Sequence, residues 1–135
     1  MKLLGSLKSL ITEIASIDDM QRAIKQKMVM VINYNDDKPE ARGLRSVEPV
    51  CLGYSKAGNL VLRAWEREGA SYSAAKEGNV LPGWRLFRVD KILTFKPTMD
   101  NFTEVRPNYN PNGDKLMTRV IVNAVFGNEE EENLA

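Results

Sequence analysis

The 135-residue chain is long enough to bury the core of one domain, and its 43% hydrophobic and 27% charged residues are ordinary for a soluble globular protein. It has one cysteine and no histidine, which excludes an internal disulfide, His-dependent catalysis and zinc sites built from Cys and His. No apolar segment is long enough to cross a membrane and no signal-peptide pattern starts the chain, so we expect a cytoplasmic protein.

The net charge of +1 conceals an uneven distribution of charge along the chain. Four glutamates occupy 129–132, after the last apolar segment, and we expect 128–135 to be a disordered acidic tail. Without these four, 14 acidic residues remain against 19 basic ones, so the body carries about +5. This charge is compatible with a polyanionic ligand but is well below that of proteins that coat nucleic acids.

The N-terminal segment 1–27 has the apolar spacing of two amphipathic helices. In the first, over 2–15, one stripe contains Leu3, Leu4, Leu7, Leu10, Ile11 and Ile14. In the second, which runs to about Lys27, we expect Met20, Ala23 and Ile24 to be buried. Such stripes are usually core or dimer interface.

The segment 28–127 reads as about five short strands separated by turn-forming residues. The predicted strands are 28–34, 42–52, 60–65, 84–95 and 117–126, with long loops over 66–83 and 100–115. Pro49 interrupts the second strand and predicts an edge or a bulge, because proline donates no ladder hydrogen bond. Short hairpin links favour a small antiparallel barrel or a curled sheet.

The segment 84–95 is the central element of this pattern, since Phe87 and Val89 alternate with charged residues. A basic strand that buries Phe87 and Val89 while projecting its arginines could form the wall of an anion-binding pocket. The arginines concerned are Arg85 and Arg88. The alternative is that these arginines are ordinary edge charges paired with their neighbours.

A second basic strand carries Arg63 and Trp65, which share a face because side chains alternate along a strand. An aromatic ring beside a guanidinium group suits a nucleobase and its phosphate, through stacking and charge-assisted hydrogen bonds. The alternative for Trp65 is a core or rim aromatic. The alternative for Tyr34 is a packing residue at the end of a strand.

Several segments together resemble the WYL domain family. Residues 23–34 are similar to its helix-to-strand opening, 45–49 (Arg-Ser-Val-Glu-Pro) to its Arg-x-x-x-Pro segment, and 85–92 to its closing Arg-x-Phe-Arg-x-Asp-x-Ile strand. Residues 60–65 occupy the place of the Trp-Tyr-Leu signature, of which only Leu62 is present because Leu60 and Val61 replace the aromatics. The match covers about 23–95 of a chain the size of small phage-encoded proteins, which would place it in a bacterial host cytoplasm.

The resemblance implies an SH3-like (Sm-like) antiparallel β-barrel, preceded here by two helices, that binds a nucleotide or short nucleic acid and usually regulates another function. In that fold the following residues could line one anion-binding site: Tyr34, Arg45, Arg63, Trp65, Arg85 and Arg88. We expect a binding module, sensing or sequestering its ligand, with no catalytic residues, no metal and no cofactor. The alternative is a structural or interaction protein whose barrel forms a homo-oligomer or docks a protein partner.

Overall fold

The computed structural model describes residues 17–67 and 81–127. This part of the chain has one α-helix, α1 over 17–25, and six β-strands. The strands are β1 (Met28–Tyr34), β2 (Gly43–Ser55), β3 (Leu60–Glu66), β4 (Gly83–Arg88), β5 (Ile92–Asn101) and β6 (Met117–Asn123). Short 3-10 helices cover Pro39–Ala41 and Val89–Lys91. The protein is therefore mainly β.

All strand pairs are antiparallel, in the order β4-β3-β2-β1-β5, with β6 paired to β2. The 13-residue β2 organises the sheet. One of its edges pairs with β3, while the other pairs first with β1, over 43–47, and then with β6, over 51–55. The β2–β3 register shifts between Pro49 and Cys51, which confirms the predicted interruption at the proline.

The predicted closed SH3-like barrel is wrong. Closure would require the end strands β4 and β5 to pair, and in the described residues β4 pairs only with β3 and β5 only with β1. Because β6 adds to the second edge of β2 instead of extending either end, the six-stranded sheet stays open. Pro97 and two register shifts also make the β1–β5 ladder irregular.

The prediction of one strand over 84–95 is also wrong, since a 3-10 turn at Val89–Lys91 divides it into β4 and the start of β5. These strands lie at opposite ends of the sheet order. The Cα atoms of Arg88 and Ile92 can be at most roughly 14 Å apart, because four residue steps span no more. The open sheet must therefore curl until its two end strands approach each other at this corner.

The prediction of two N-terminal helices is not met, because the described residues contain one helix, α1, which corresponds to the second. Its Met20, Ala23 and Ile24 are buried, as expected. The first predicted helix, over 2–15, lies outside the described residues. The predicted acidic tail over 128–135 and most of the 66–83 loop also lie outside them. The core is formed by α1 and the sheet, with Ile24, Ile32, Leu52 and Leu62 fully buried. No helix in the described segments is long and apolar enough to span a membrane.

Candidate functional site

The registers place the six predicted site residues on two faces of the sheet, because directly paired residues of antiparallel strands share a face. Arg85 pairs with Ala64, two residues from Glu66, and Glu66 pairs with Val47, two residues from Arg45. Arg45 lies two residues from Gly43, the partner of Tyr34. Tyr34, Arg45, Glu66 and Arg85 therefore share one face, which we call the Arg45 face.

Arg63 and Trp65 alternate with Glu66 along β3 and so lie on the opposite face, which we call the Trp65 face. Arg88 pairs with Val61 and belongs by register to the Trp65 face. The structure thus brings together three of the six residues, Tyr34, Arg45 and Arg85. The binding role of the six stays a prediction.

On the Arg45 face, two arginines converge on one carboxylate. Glu66 is fully buried, and its Oε1 accepts a hydrogen bond from Arg45 Nη1 at 3.1 Å. Arg85 Nε lies 3.6 Å from the same oxygen. Arg45 Nη2 donates to the carbonyl of Ala41, and Arg85 Nη1 donates to the carbonyl of Trp84 at 2.9 Å. We call Arg45, Glu66 and Arg85 the arginine cluster.

Three polar atoms of the arginine cluster are buried and have no hydrogen-bond partner in the described part of the chain. They are Arg45 Nε, Arg85 Nη2 and Glu66 Oε2. Such atoms are uncommon in folded proteins, where an ordered water or another polar group usually satisfies them. Arg45 Nε and Arg85 Nη2 belong to the two guanidinium groups that contact Glu66 Oε1, and Glu66 Oε2 is the second oxygen of the same carboxylate.

Aromatic rings enclose the arginine cluster on the side of the corner between β4 and β5. The guanidinium carbon of Arg45 lies 5.6 Å from the Tyr34 ring centroid and 5.9 Å from that of Phe87. These distances are in the range of cation–π interactions. The Tyr34 hydroxyl accepts a hydrogen bond from the Arg88 amide at 3.1 Å. Burial raises the pKa of Tyr34, and the hydrogen bond from Arg88 opposes this shift.

The side chain of Arg88 takes no part in the arginine cluster. Its Nε and Nη2 donate to the two carboxylate oxygens of Asp90 at 3.1 and 2.7 Å, and it is 42% exposed. The structure therefore shows Arg88 as an edge charge paired with its neighbour Asp90, which was the alternative to a ligand-binding arginine in the sequence analysis. Only its backbone amide reaches the Arg45 face, through Tyr34.

The Trp65 face carries alternating guanidinium groups and indole rings. The Arg106 guanidinium lies 5.6 Å from the centroid of the Trp65 ring. The Trp65 ring contacts the Trp84 ring edge-to-face, with centroids 5.2 Å apart. The Arg63 guanidinium lies 5.4 Å from the centroid of the Trp84 ring. Arg106 also donates from Nε and Nη2 to the two oxygens of the buried Glu48 at 3.0 and 2.7 Å. This hydrogen bonding raises the pKa of Arg106.

The loop 102–116 covers this row of side chains and satisfies their polar groups. Trp84 Nε1 donates to the Pro107 carbonyl at 2.6 Å, and Tyr109 stacks on Trp84 with ring centroids 6.3 Å apart. Asp114 forms an ion pair with Arg63 at 3.1 Å. Burial lowers the pKa of Arg63, and Asp114 opposes this shift. Trp65 and Arg63 therefore anchor the loop in this structure.

Glu66 is the residue of the arginine cluster that the sequence did not single out. The sequence did contain a sign that Glu66 is buried, because Glu66 follows Leu62 and Ala64 at alternate positions on the apolar face of β3. An acid at such a position is buried and requires a cationic partner. Glu48 and Arg106 were missed because they are 58 residues apart.

In the described residues, no group of His, Cys, Asp and Glu side chains could hold a metal ion. Cys51 is buried, and burial raises its pKa to about 11, so it is a poor nucleophile.

In the comparison with known families, the model described as WYL domain matches residues 15–97, more than half of the chain. Comparison with curated proteins and with solved structures gives no match.

Proposed function

The chain belongs to the WYL domain family, whose members are regarded as regulatory modules that sense ligands or nucleic acids. From this premise we propose that it is a non-enzymatic module that binds a nucleotide or short nucleic acid at the arginine cluster. The observation that carries the proposal is that the buried guanidinium group of Arg45 and the partly buried one of Arg85 share one oxygen of a single carboxylate.

This arrangement leaves one positive charge without a counter-charge inside the cluster. Because the charges lie in surroundings of low dielectric, a surplus charge there attracts an anion more strongly than the same charge in water. Arg45 Nε and Arg85 Nη2 are also free to donate. A phosphate-bearing ligand supplies the missing negative charge.

Arg85 provides the route from solvent to the cluster. It lies on β4, an end strand of the described sheet, and its side chain is 23% exposed, whereas those of Arg45 and Glu66 are 6% and 0% exposed. We propose that the phosphate contacts the outer part of Arg85, and that the Arg85 side chain rotates outward when a ligand enters.

The test is a titration of the whole chain with mono-, di- and cyclic nucleotides and with short single strands, comparing wild type with Arg85→Gln. We expect binding that weakens with added salt, as phosphate contacts do, and a loss of at least about tenfold in affinity in the variant. Glu66 keeps its hydrogen bond from Arg45, so the variant should fold.

Two matched variants show whether the effect is local. Arg22→Gln removes the same charge from α1, where the side chain is 60% exposed and pairs only with Asp19 in the described contacts; its affinity should equal that of wild type. Arg63→Gln removes an arginine of similar exposure, 22%, from the Trp65 face. An effect of Arg63→Gln larger than that of Arg85→Gln would move the site to the Trp65 face.

If no ligand of this panel binds more tightly than about 1 mM, roughly −4 kcal/mol, the binding proposal fails. The alternative of an interaction protein, as a homo-oligomer or with a protein partner, would then take its place. Light scattering on the same samples measures the oligomeric state directly.

A further inference from the structure

The two guanidinium groups of the arginine cluster are held with different strength. Arg45 donates a hydrogen bond to Glu66 Oε1 at 3.1 Å and lies against two aromatic rings. Arg85 lies 3.6 Å from the same oxygen, beyond hydrogen-bond distance, and donates to a backbone carbonyl at 2.9 Å. Its Nη2 atom has no hydrogen-bond partner in the described residues. Arg85 is therefore the arginine that leaves Glu66 more easily.

The carboxylate of Glu66 keeps a partner when Arg85 turns outward. Glu66 is fully buried, and its other partner, Arg45, is only 6% exposed, so these two side chains stay together. One carboxylate and one guanidinium group then form a neutral pair, and no unpaired charge is left buried. Arg85, facing solvent, has its whole positive charge available for an anion.

Glu66 and a phosphate group therefore compete for the same guanidinium group. Both accept charge-assisted hydrogen bonds from arginine, and Arg85 is fully available to the phosphate only while it is turned away from Glu66. The apparent affinity of a site is reduced by the fraction of molecules that are in the binding-competent state.

We propose that Glu66 is an internal competitor, which holds Arg85 inward and thereby lowers the affinity of the arginine cluster for phosphate. This inference rests on the proposed function, since it concerns the same site. Glu66 acts through Arg85 and touches no ligand, so it is a positioning residue.

Replacing Glu66 with glutamine removes the competing charge at nearly constant shape. The amide oxygen can still accept from Arg45, and the amide nitrogen takes the place of Oε2, which has no partner in the described part of the chain. Because an interaction between charged groups is lost, we expect Glu66→Gln to bind the nucleotides and short single strands of the panel above about tenfold more tightly than wild type. A residue that only supports the fold would weaken binding when it is replaced.

Asp114→Asn is the matched control variant. It also removes one negative charge from the partner of a partly exposed arginine, since Asp114 pairs with Arg63 of the Trp65 face at 3.1 Å. Its affinity for the panel should equal that of wild type. A gain as large as that of Glu66→Gln would overturn the inference, because any added positive charge would then have the same effect.

If Glu66→Gln does not fold, a crystal structure of wild type with a bound member of the panel decides. We expect Arg85 Nε beyond about 4 Å from Glu66 Oε1, outside ion-pair distance, with Arg45 still bonded to Glu66. Arg85 still within that distance while it contacts the phosphate would overturn the inference.

The outcomes separate this inference from the proposed function. Binding by wild type, with equal or weaker binding by Glu66→Gln, would overturn the inference and leave the proposed function in place. Binding more tightly than about 1 mM by Glu66→Gln alone would support the inference and overturn the proposed function for the wild-type chain. Absence of binding by both proteins would overturn both.

Discussion

Replacing Arg106 with methionine should destabilise the protein substantially, because Arg106 is the main partner of a buried carboxylate. Glu48 is fully buried and loses two hydrogen bonds of 2.7 and 3.0 Å in this variant. Removing one partner of a buried ion pair costs about 3–5 kcal/mol. Arg67 Nε remains 3.2 Å from Glu48 Oε2, which lowers the expected cost to about 2 kcal/mol.

The contact between Arg106 and the Trp65 ring adds about 0.5–1 kcal/mol, so the total is close to 3 kcal/mol. This is a large part of the 5–15 kcal/mol by which a domain is usually stable. For a chain of this length we expect roughly 4 °C per kcal/mol, and hence a fall in Tm of about 12 °C.

Thermal and urea denaturation, followed by tryptophan fluorescence, measure this loss. The chain has two tryptophans, Trp65 and Trp84, and both lie under the loop 102–116, so their emission should also shift to longer wavelength. Arg119→Met is the matched control, since Arg119 is exposed and only contacts the Tyr54 ring at 6.0 Å in the described contacts; it should cost about 0.5 kcal/mol. A fall in Tm below about 3 °C for Arg106→Met, with unchanged emission, would refute the conclusion that Arg106 holds the loop through Glu48.

Two further predictions concern the core. Burial raises the pKa of Cys51 from 9.0 to about 11. Because the thiol therefore loses its proton in the unfolded state first, the free energy of unfolding should fall as the pH rises from about 9 towards 11. Urea melts at pH 8 and pH 10 should show a smaller pH effect for Cys51→Ala than for wild type; an equal effect would contradict the assignment. Gly53→Ala should cost about 1–3 kcal/mol, because the added Cβ would collide with the Arg119 carbonyl and with Met117, and so disrupt the β2–β6 pairing. Gly58→Ala, which meets no atom within 4 Å but has a φ of +83°, should cost about 1 kcal/mol, and a Gly53→Ala protein as stable as Gly58→Ala would refute the clash.

The positions of most strands could be predicted from the sequence, because the patterns that define them are local. The β1 strand was predicted with both ends correct, since β-branched and apolar residues fill it and turn formers follow Tyr34. The β3 strand was predicted to within one residue. The buried face of α1 followed from the spacing of Met20, Ala23 and Ile24. The WYL family was also recognisable, because its arginines and proline recur at fixed spacings.

The division of 84–95 could not be predicted in this way. The alternation of Phe87 and Val89 with charged residues runs from β4 into the 3-10 turn, so a strand that continues and a strand that ends in such a turn have the same pattern. The choice depends on which strands the two halves pair with. Of those partners, β3 is the strand that precedes β4, but β1 is separated from β5 in the chain by β2, β3 and β4.

By itself, the sequence determined which residues are basic, where most of the strands lie and which family the chain belongs to, since these depend on residue type and local spacing. Only the tertiary structure decided that the sheet stays open, because that depends on β6 choosing the second edge of β2. It also decided that Arg45 and Arg85 meet at Glu66 while Arg63 lies on the opposite face. Register sets this division, because a shift of one residue moves every side chain of a strand to the other face.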